Sequence, residues 1–294
     1  MNELCALIDR HGSSTPTPTA IPRLTLSRSN AATDMSTAIY TPVFCVIAQG
    51  RKRILLGGES FNYDPTSYLI ASADLPVTGQ VLEGPALGLM LALDAAFIAE
   101  LLLQMKPAST GRAPLKAMAV SSLEADLLDP VLRLLRLLDQ PGDIPVLAPL
   151  IEREILYRLL LGSHSKMLRQ FALPSSDLSR ISRAISVIRR RFHEPLRVEE
   201  LAHLAGMSPP SFHRHFRAIT TMSPLQFQKK IRLQEARCLL LTRHADAASV
   251  GFDVGYESPS QFSREYRRMF GAPPGRDTLR VRRAFNSDQT GGIP

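Results

Sequence analysis

Short apolar and β-branched runs alternate with turn residues through the first third of the chain. Gly and Asp-Pro steps separate them at intervals of roughly eight to twelve residues, a spacing typical of small all-β domains. The runs are PVFCVIAQG, RKRILLGGE, SFNYDP, SYLIAS and VTGQVLEGP. This pattern predicts a small β-sandwich or β-barrel that begins near Tyr40.

The hydrophobic period becomes helical after Asp94. The pattern predicts helices over residues 95–105, 123–139 and 149–162. Their leucines cover more than one helix face, and two explanations stay open. Either all of them pack on the β-domain, or some pack on a second copy of the chain and make a homodimer.

From residue 175 onward the pattern is helical throughout. Helices are predicted over residues 178–192, 198–205, 209–219, 224–241, 247–254 and 259–270. Three of them begin with Ser-Pro, in which the Ser oxygen caps an unpaired amide and the Pro gives up no needed donor. The whole chain is therefore predicted to be an α+β multidomain protein.

The helical half contains one pattern written twice. GMSPPSFHRHFRAI begins at Gly206 and GYESPSQFSREYRRMF begins at Gly255. Placing Ser208 on Ser258 aligns the following Pro, two aromatic residues and two arginines. Repetition at one fixed offset indicates a duplicated structural module.

Each copy predicts a short helix, a Gly turn and a second helix, which is the helix-turn-helix arrangement. The second helices have two faces. The predicted core faces are Phe212, Phe216 and Ile219 in the first copy, and Phe262, Tyr266 and Met269 in the second. The opposite faces give the candidate DNA-contacting residues, since Arg can recognise G and Gln can recognise A with paired hydrogen bonds. These candidates are Pro210, His213, Arg214, Arg217, Ser260, Gln261, Arg264 and Arg267.

A predicted helix of about 18 residues, 224–241, joins the two copies. At 1.5 Å per residue it is roughly 27 Å long, which suits two recognition helices about 34 Å apart, one turn of DNA. One chain could then occupy two successive major grooves. Lys229 and Lys230 lie on this joining helix, and we interpret them as phosphate-binding or solvated, away from either recognition helix.

The net charge of +8 is confined to the helical half. Residues 1–174 contain 15 Lys and Arg against 16 Asp and Glu, whereas residues 175–294 contain 20 against 11. A basic excess that coincides with the duplicated module favours a nucleic-acid partner over a charge spread for solubility.

At these residues the chain resembles the AraC family of bacterial transcription regulators. The resemblance rests on LAHLAGMSPPSFHRHF, SPLQFQKKIRLQEAR and VGYESPSQFSREYRRMFGAPP, and in the first half on VFCVIAQGRK, SFNYDPTSYLIASADLPV and APLIEREILYRLL. It implies an N-terminal cupin-like β-barrel with following helices, which senses a small molecule or mediates dimerisation. It also implies two helix-turn-helix units, joined by a long helix, that contact adjacent major grooves. Pro210 departs from the family, where this position often carries a large base-contacting side chain, so the first unit should discriminate less.

The domain boundaries follow from these patterns. We predict a disordered tail over residues 1–38, an N-terminal sensor and dimerisation domain over 39–174, a double helix-turn-helix domain over 175–278 and a basic flexible tail over 279–294.

Several other function classes are disfavoured by the composition. No His lies between residues 12 and 163, so the β-domain has no His-based metal site or Ser-His nucleophile, and no phosphate-binding Gly-rich loop is present. We therefore expect no enzymatic activity, cofactor or metal. Cys45 is interpreted either as a small buried apolar residue or as a redox sensor.

The sequence also predicts a cytoplasmic protein without a membrane partner. Its three scattered cysteines suit a reducing compartment, and no secretory signal is evident. The longest apolar run, 86–105, contains Asp94 and Glu100, so it is interpreted as a strand that leads into a helix.

Two functions remain from these observations. The first is a sequence-specific transcription regulator, an activator, that binds double-stranded DNA, a small-molecule effector and RNA polymerase and forms a homodimer. The alternative is a sequence-tolerant architectural DNA-binding protein without a ligand response.

Overall fold

The computed structural model describes residues 1–13, 16–105, 116–243 and 246–290, with side chains up to residue 282. The chain divides into two compact units. The first comprises Met1–Ile185 and Ala202–Met222, and the second comprises Ser186–Leu201 and Ser223–Pro294.

The first unit contains an eight-stranded antiparallel sheet. Its neighbouring strands follow the order β1-β2-β7-β4-β6-β8, with β3 paired to β7 and β5 paired to β4. The strands are β1 Thr17–Pro18, β2 Leu24–Ser29, β3 Ser36–Tyr40, β4 Val43–Leu56, β5 Glu59–Tyr63, β6 Ser67–Ala71, β7 Leu75–Ala92 and β8 Met118–Ser122. The predicted N-terminal β-domain is confirmed.

Two long strands organise this sheet. β4 pairs with β7 over most of its length, with β6 at its first end and with β5 at its second. Register shifts between Ile47 and Lys52 mark β-bulges, which bend a strand and increase its twist. A single bent strand can therefore serve two different partners on its other edge.

Five described helices of the first unit lie before residue 175. They are α1 Asn2–His11, α2 Ala95–Gln104, α3 Ala125–Arg136, α4 Ile144–Leu161 and α5 Ser165–Ala172. The apolar run over 86–105 is a strand followed by a helix, as predicted. Helix α4 begins five residues before the predicted start, because Pro145 rather than Pro149 occupies its first turn. No described helix has the length and hydropathy to cross a membrane.

The prediction of a disordered N-terminal tail over 1–38 is wrong for its described residues. Helix α1 buries Leu4, Leu7 and Ile8, which recur at i, i+3 and i+4 and so share one helix face. Strands β1, β2 and the start of β3 follow in the same range. Residues 14 and 15 lie outside the described residues.

Seven helices follow. They are α6 Asp177–Arg190, α7 Val198–Leu204, α8 Pro209–Thr220, α9 Pro224–Thr242, α10 Ala247–Asp253, α11 Pro259–Phe270 and α12 Pro274–Thr290. The first six confirm the predicted helices within two residues at each end. Helix α12 covers most of the predicted flexible tail over 279–294, while residues 291–294 lie outside the described part of the chain.

A buried carboxylate ties the last helices of the second unit together. Asp277 on α12 is fully buried and accepts hydrogen bonds from the Arg237 guanidinium of α9 at 2.8 and 3.1 Å. It also accepts from the Tyr266 hydroxyl of α11 at 2.9 Å. The same guanidinium stacks 4.7 Å from the ring centre of Phe270. A buried carboxylate is stable only when hydrogen-bond donors surround it. Because its donors come from α9 and α11, this network holds α11 against α9 and α12.

Candidate nucleic-acid interface

Helix α8 is the second helix of the first repeat. It buries Phe212, Phe216 and Ile219 and accordingly has the predicted core face. The four candidate contact residues of this helix are all exposed: Pro210, His213, Arg214 and Arg217. Gly206 precedes the helix with a φ of 61°, the left-handed conformation that a tight turn between two helices requires.

The Ser-Pro starts of the three helices differ in their caps. Ser223 makes a capping box with Gln226 at the start of α9. At the start of α11, the Ser258 hydroxyl accepts a hydrogen bond from the backbone N–H of Gln261 at 3.4 Å. Ser208 makes no side-chain cap at the start of α8. The predicted cap is therefore present at two of the three starts, whereas Pro lies in the first turn of all three helices.

Helix α11 is the second helix of the second repeat. Phe262 and Tyr266 are buried and Met269 is partly buried, so the predicted core face is confirmed. On the opposite side, Ser260, Arg264 and Arg267 are exposed. Arg268 is exposed as well. It is not among the candidates named from the sequence, although its position four residues after Arg264 places it on the same side of the helix.

Gln261 differs from the other candidates of α11. Its side chain is half-buried, and its amide donates to Glu265 Oε1 at 3.4 Å. Glu265 also accepts from Lys229 Nζ at 2.8 Å and from the Tyr256 hydroxyl at 2.9 Å. A base contact by Gln261 would therefore have to compete with this carboxylate.

The same network corrects the interpretation of Lys229. Its ammonium contacts Glu265 on α11, so it does not lie away from the recognition helices. Burial alone would raise the pKa of Glu265, but the hydrogen bonds from Lys229, Tyr256 and Gln261 hold it below its usual value. Lys230 is half-buried, and burial lowers the pKa of its ammonium. Lys229 is therefore held by a carboxylate, and Lys230 is only partly accessible to solvent.

The turn before α11 is held by a residue that sequence reasoning also missed. Arg232 on α9 donates to the Gly255 carbonyl at 2.7 Å, and to the carbonyls of Phe192, His193 and Glu194 at 2.6, 3.2 and 2.9 Å. From its position on the predicted helix alone, Arg232 cannot be distinguished from a solvated surface arginine. Only the tertiary arrangement shows that it fixes the helix-turn-helix backbone.

Gly255 itself is required by space as well as by conformation. Its φ is 91°, and a Cβ at this position would lie 2.3 Å from the His193 carbonyl oxygen. Gly251 allows a close approach of a similar kind, since a Cβ there would lie 3.0 Å from the Phe262 ring. The backbone of this repeat thus sets the angle at which α11 is presented.

The end of α8 contacts the sheet within the first unit. Thr221 has a φ of 62°, and its hydroxyl donates to the Leu56 carbonyl at 3.0 Å. A Cβ on Gly57 would lie 2.1 Å from that hydroxyl oxygen. The turn between β4 and β5 therefore lies directly against the end of the first recognition helix.

Cys45 is buried on β4. Burial raises the pKa of its thiol to about 12. A thiol with so high a pKa has almost no thiolate at neutral pH, which disfavours a redox sensor. The interpretation as a small buried apolar residue is the better supported one.

In each repeat a short helix, a turn that contains Gly and an amphipathic second helix follow one another, and this arrangement defines a helix-turn-helix protein. Comparison with known protein families gives the same class. Residues 20–167 match the model of the AraC-type transcriptional regulator N-terminus, and residues 201–279 match that of a helix-turn-helix domain. Because the first match covers half of the chain, the chain belongs to the AraC family of transcriptional regulators.

Individual relatives support the same family. The chain is 29% identical over 157 residues to the transcriptional activator RhaS of Escherichia fergusonii, which is 52% of this chain and 54% of RhaS. It is 38% identical over 85 residues to the transcriptional activator RclR of Escherichia coli, 29% of this chain and 30% of RclR. The chain thus spans about half or less of the curated relatives it matches. Both relatives are named as transcriptional regulators, in agreement with the expectation of a non-enzymatic protein.

A solved structure shows the same fold over most of the chain. The unsaturated-fatty-acid-bound ToxT of Vibrio cholerae matches with a TM-score of 0.51 and 11% identity. The match covers 85% of this chain and 93% of ToxT. At this identity the likeness concerns the fold, and it confirms the predicted α+β architecture.

Proposed function

We propose that this protein is a sequence-specific DNA-binding transcription regulator whose helices α8 and α11 enter major grooves. The observation that carries the proposal is the two-faced character of both helices, each with an aromatic buried face and an exposed face that contains arginines. The eight candidate residues named from the sequence are the proposed contacts. Arg264 is the strongest candidate of α11, because it lies opposite Phe262 and Tyr266 on the helix.

The proposed sensor is the sheet domain of the first unit, which responds to a small molecule. The match to the AraC-type N-terminus supports this role, and so does the fatty acid held by ToxT, a protein of the same fold. The names of RhaS and RclR support a transcriptional activator, and we propose that it works with RNA polymerase in the cytoplasm.

We propose that helix α4 forms the interface of a homodimer. One face of α4 packs in the first unit through residues that include Ile151, Ile155 and Leu159. Another face exposes large apolar side chains at i, i+4, i+11 and i+15, which form a single stripe. The stripe consists of Val146, Leu150, Tyr157 and Leu161, exposed by 67, 61, 43 and 62%. The charged residues Arg153 and Glu154 lie between its two halves, and a row of exposed apolar side chains of this kind is typical of a protein-protein contact.

The test is a comparison of specific and non-specific DNA binding by the full chain. Genomic fragments bound by the purified protein would be sequenced, with and without a metabolite extract, and the most enriched fragment compared with its shuffled sequence at fixed salt. A regulator should prefer the specific fragment by on the order of a thousandfold or more, with affinity that falls steeply as salt rises. Equal affinity for both fragments would instead establish the architectural alternative.

A further inference from the structure

Four titratable side chains converge inside the sheet domain of the first unit. Lys52 on β4 is the register partner of Tyr63 on β5, so the two side chains lie on the same face of the sheet. Tyr40 ends β3, and its hydroxyl shares a hydrogen bond with the hydroxyl of Tyr63. Cys45 of β4 is close enough to interact electrostatically with the other three.

The strands around this cluster are apolar. Ile54 and Leu56 continue its face along β4, and Leu75, Val77 and Val81 do so along β7, where Tyr40 pairs with Leu75 and Lys52 with Val81. All five are exposed by 5% or less. Tyr40 and Lys52, in contrast, are only half-buried. Part of each of these two side chains is therefore accessible to solvent, next to a surface of buried hydrocarbon.

Lys52 is a charge without a partner. In the described part of the chain its ammonium makes neither an ion pair nor a hydrogen bond. Its neighbours on β4 are partnered, since Arg51 pairs with Glu83 and Arg53 donates to the Asn62 side chain. Burial lowers the pKa of Lys52, as expected for an ammonium that has lost water without gaining a counter-ion.

The hydroxyl groups beside Lys52 are hydrogen-bond donors at every physiological pH. Burial raises the pKa of both Tyr40 and Tyr63 above the ordinary phenol value. One of the two hydroxyl protons is used in the hydrogen bond between Tyr40 and Tyr63. The other has no acceptor among the residues that the structure describes, so one hydroxyl proton and one ammonium remain to be satisfied.

We propose that Lys52 and Tyr40 bind the carboxylate of a small organic acid whose apolar body lies along the hydrocarbon surface of β4 and β7. Lys52 supplies the counter-ion, Tyr40 donates a hydrogen bond, and Tyr63 is a positioning residue that orients Tyr40. A single ammonium matches a single negative charge, whereas a phosphate dianion would call for more donors. This inference rests on the proposed sensor function and names its class of effector.

The ligand site shares a hairpin with the contact to the first recognition helix. Lys52 and Tyr63 lie on β4 and β5, and Leu56, the last residue of β4, accepts from Thr221 at the end of α8. A molecule that orders this hairpin also acts on the residue that ends α8. The site is therefore placed where an effector can alter DNA binding.

The test compares charged and uncharged probes of equal size on the full chain in the absence of DNA. Calorimetric titration would use octanoate with octanamide, and benzoate with benzamide. We expect at least one of the two acids to bind the unsubstituted protein at least tenfold more tightly than its amide. Lys52→Met, which keeps the length of the side chain, should abolish the preference, and Tyr40→Phe should reduce it. Arg53→Met is the matched control on the next residue of β4 and should keep it.

The stability of the unliganded protein gives a second, ligand-independent measurement. Because Lys52→Met removes an unpaired charge from apolar surroundings, this variant should melt no lower than the unsubstituted protein, and Arg53→Met gives the reference. A lower melting temperature for Lys52→Met alone would show that Lys52 has a partner and would overturn the proposal. So would equal affinity for acids and amides, a preference that survives Lys52→Met, or no binding of either acid.

DNA affinity is measured separately, so the two proposals can fail independently. Lys52→Met should bind the enriched genomic fragment without ligand as the unsubstituted protein does. Loss of sequence preference in every variant would refute the regulator function and leave the acid-binding site standing. Intact sequence preference without selective acid binding would refute the acid-binding site and leave the regulator function standing.

Discussion

Replacing Arg264 with Ala tests whether α11 recognises bases. Arg264 is exposed and makes no hydrogen bond or ion pair in the described part of the chain. Its removal should therefore leave the free energy of unfolding within about 0.5 kcal/mol of the original value. An Arg that contacts one guanine with two hydrogen bonds contributes about 1–3 kcal/mol of discrimination. At about 1.4 kcal/mol per tenfold change, the preferred site should bind roughly 5 to 150 times more weakly.

The assay is a binding profile in which each base of the preferred site is varied in turn. Arg264→Ala should lose selectivity at one base position and keep it at the others. Arg264→Lys is the matched control, because it keeps the charge but lacks the planar pair of donors. It should lose the same selectivity while it retains part of the affinity. If both variants keep the full base preference, Arg264 contacts phosphate and the assignment as a base-reading residue is refuted.

Three further predictions follow from other parts of the structure. Gly255→Ala should destabilise the protein to urea by about 1–3 kcal/mol, because the residue has positive φ and its Cβ would lie 2.3 Å from a backbone oxygen. Gly271→Ala is the control with positive φ and no atom within 4 Å of the added Cβ, so an equal loss in both would exclude the steric argument. The folded-state pKa of Glu265 is lowered, so its ionised form stabilises the protein above the unfolded value of about 4.3, and this contribution is lost as pH falls through the folded value. The difference in melting temperature between the unsubstituted protein and Glu265→Gln should therefore shrink between pH 7 and pH 3, and a constant difference would contradict the assignment. Leu150→Arg should convert the dimer to a monomer in sedimentation at micromolar concentration, whereas Leu103→Arg, on an exposed leucine of α2 outside the stripe, should leave the dimer intact.

The helix-turn-helix elements were predictable because local signals agree with one another there. Aromatic residues at helical spacing, Ser-Pro starts and turn glycines all point to the same boundaries, and α8 and α11 have the predicted core faces. Helix α1 was missed although Leu4, Leu7 and Ile8 have the right spacing. The Pro- and Thr-rich segment after it suggested a disordered tail and outweighed a short apolar stripe.

The candidate site was predicted less completely than the fold. Exposure of Arg264 and Arg267 follows from helical periodicity alone. Periodicity does not show that Gln261 and Lys229 share one carboxylate, since Glu265 gathers its partners from separate helices. Nor does it show that Arg232 holds the turn at Gly255, because its four carbonyl partners come from two distant segments.

Sequence patterns predicted the class of protein, the β-domain that begins near Tyr40, the helices of the second half and the location of the basic charge. These properties depend on short-range periodicity and composition, which a single chain displays directly. Which polar groups are satisfied follows from the folded chain alone, because partners such as Tyr40 with Tyr63 and Arg237 with Asp277 are distant in sequence. That the Lys52 ammonium has no partner in the described part of the chain is likewise visible only in the folded structure. In the sequence Lys52 stands between two arginines of a basic run, and only the folded sheet separates its environment from theirs.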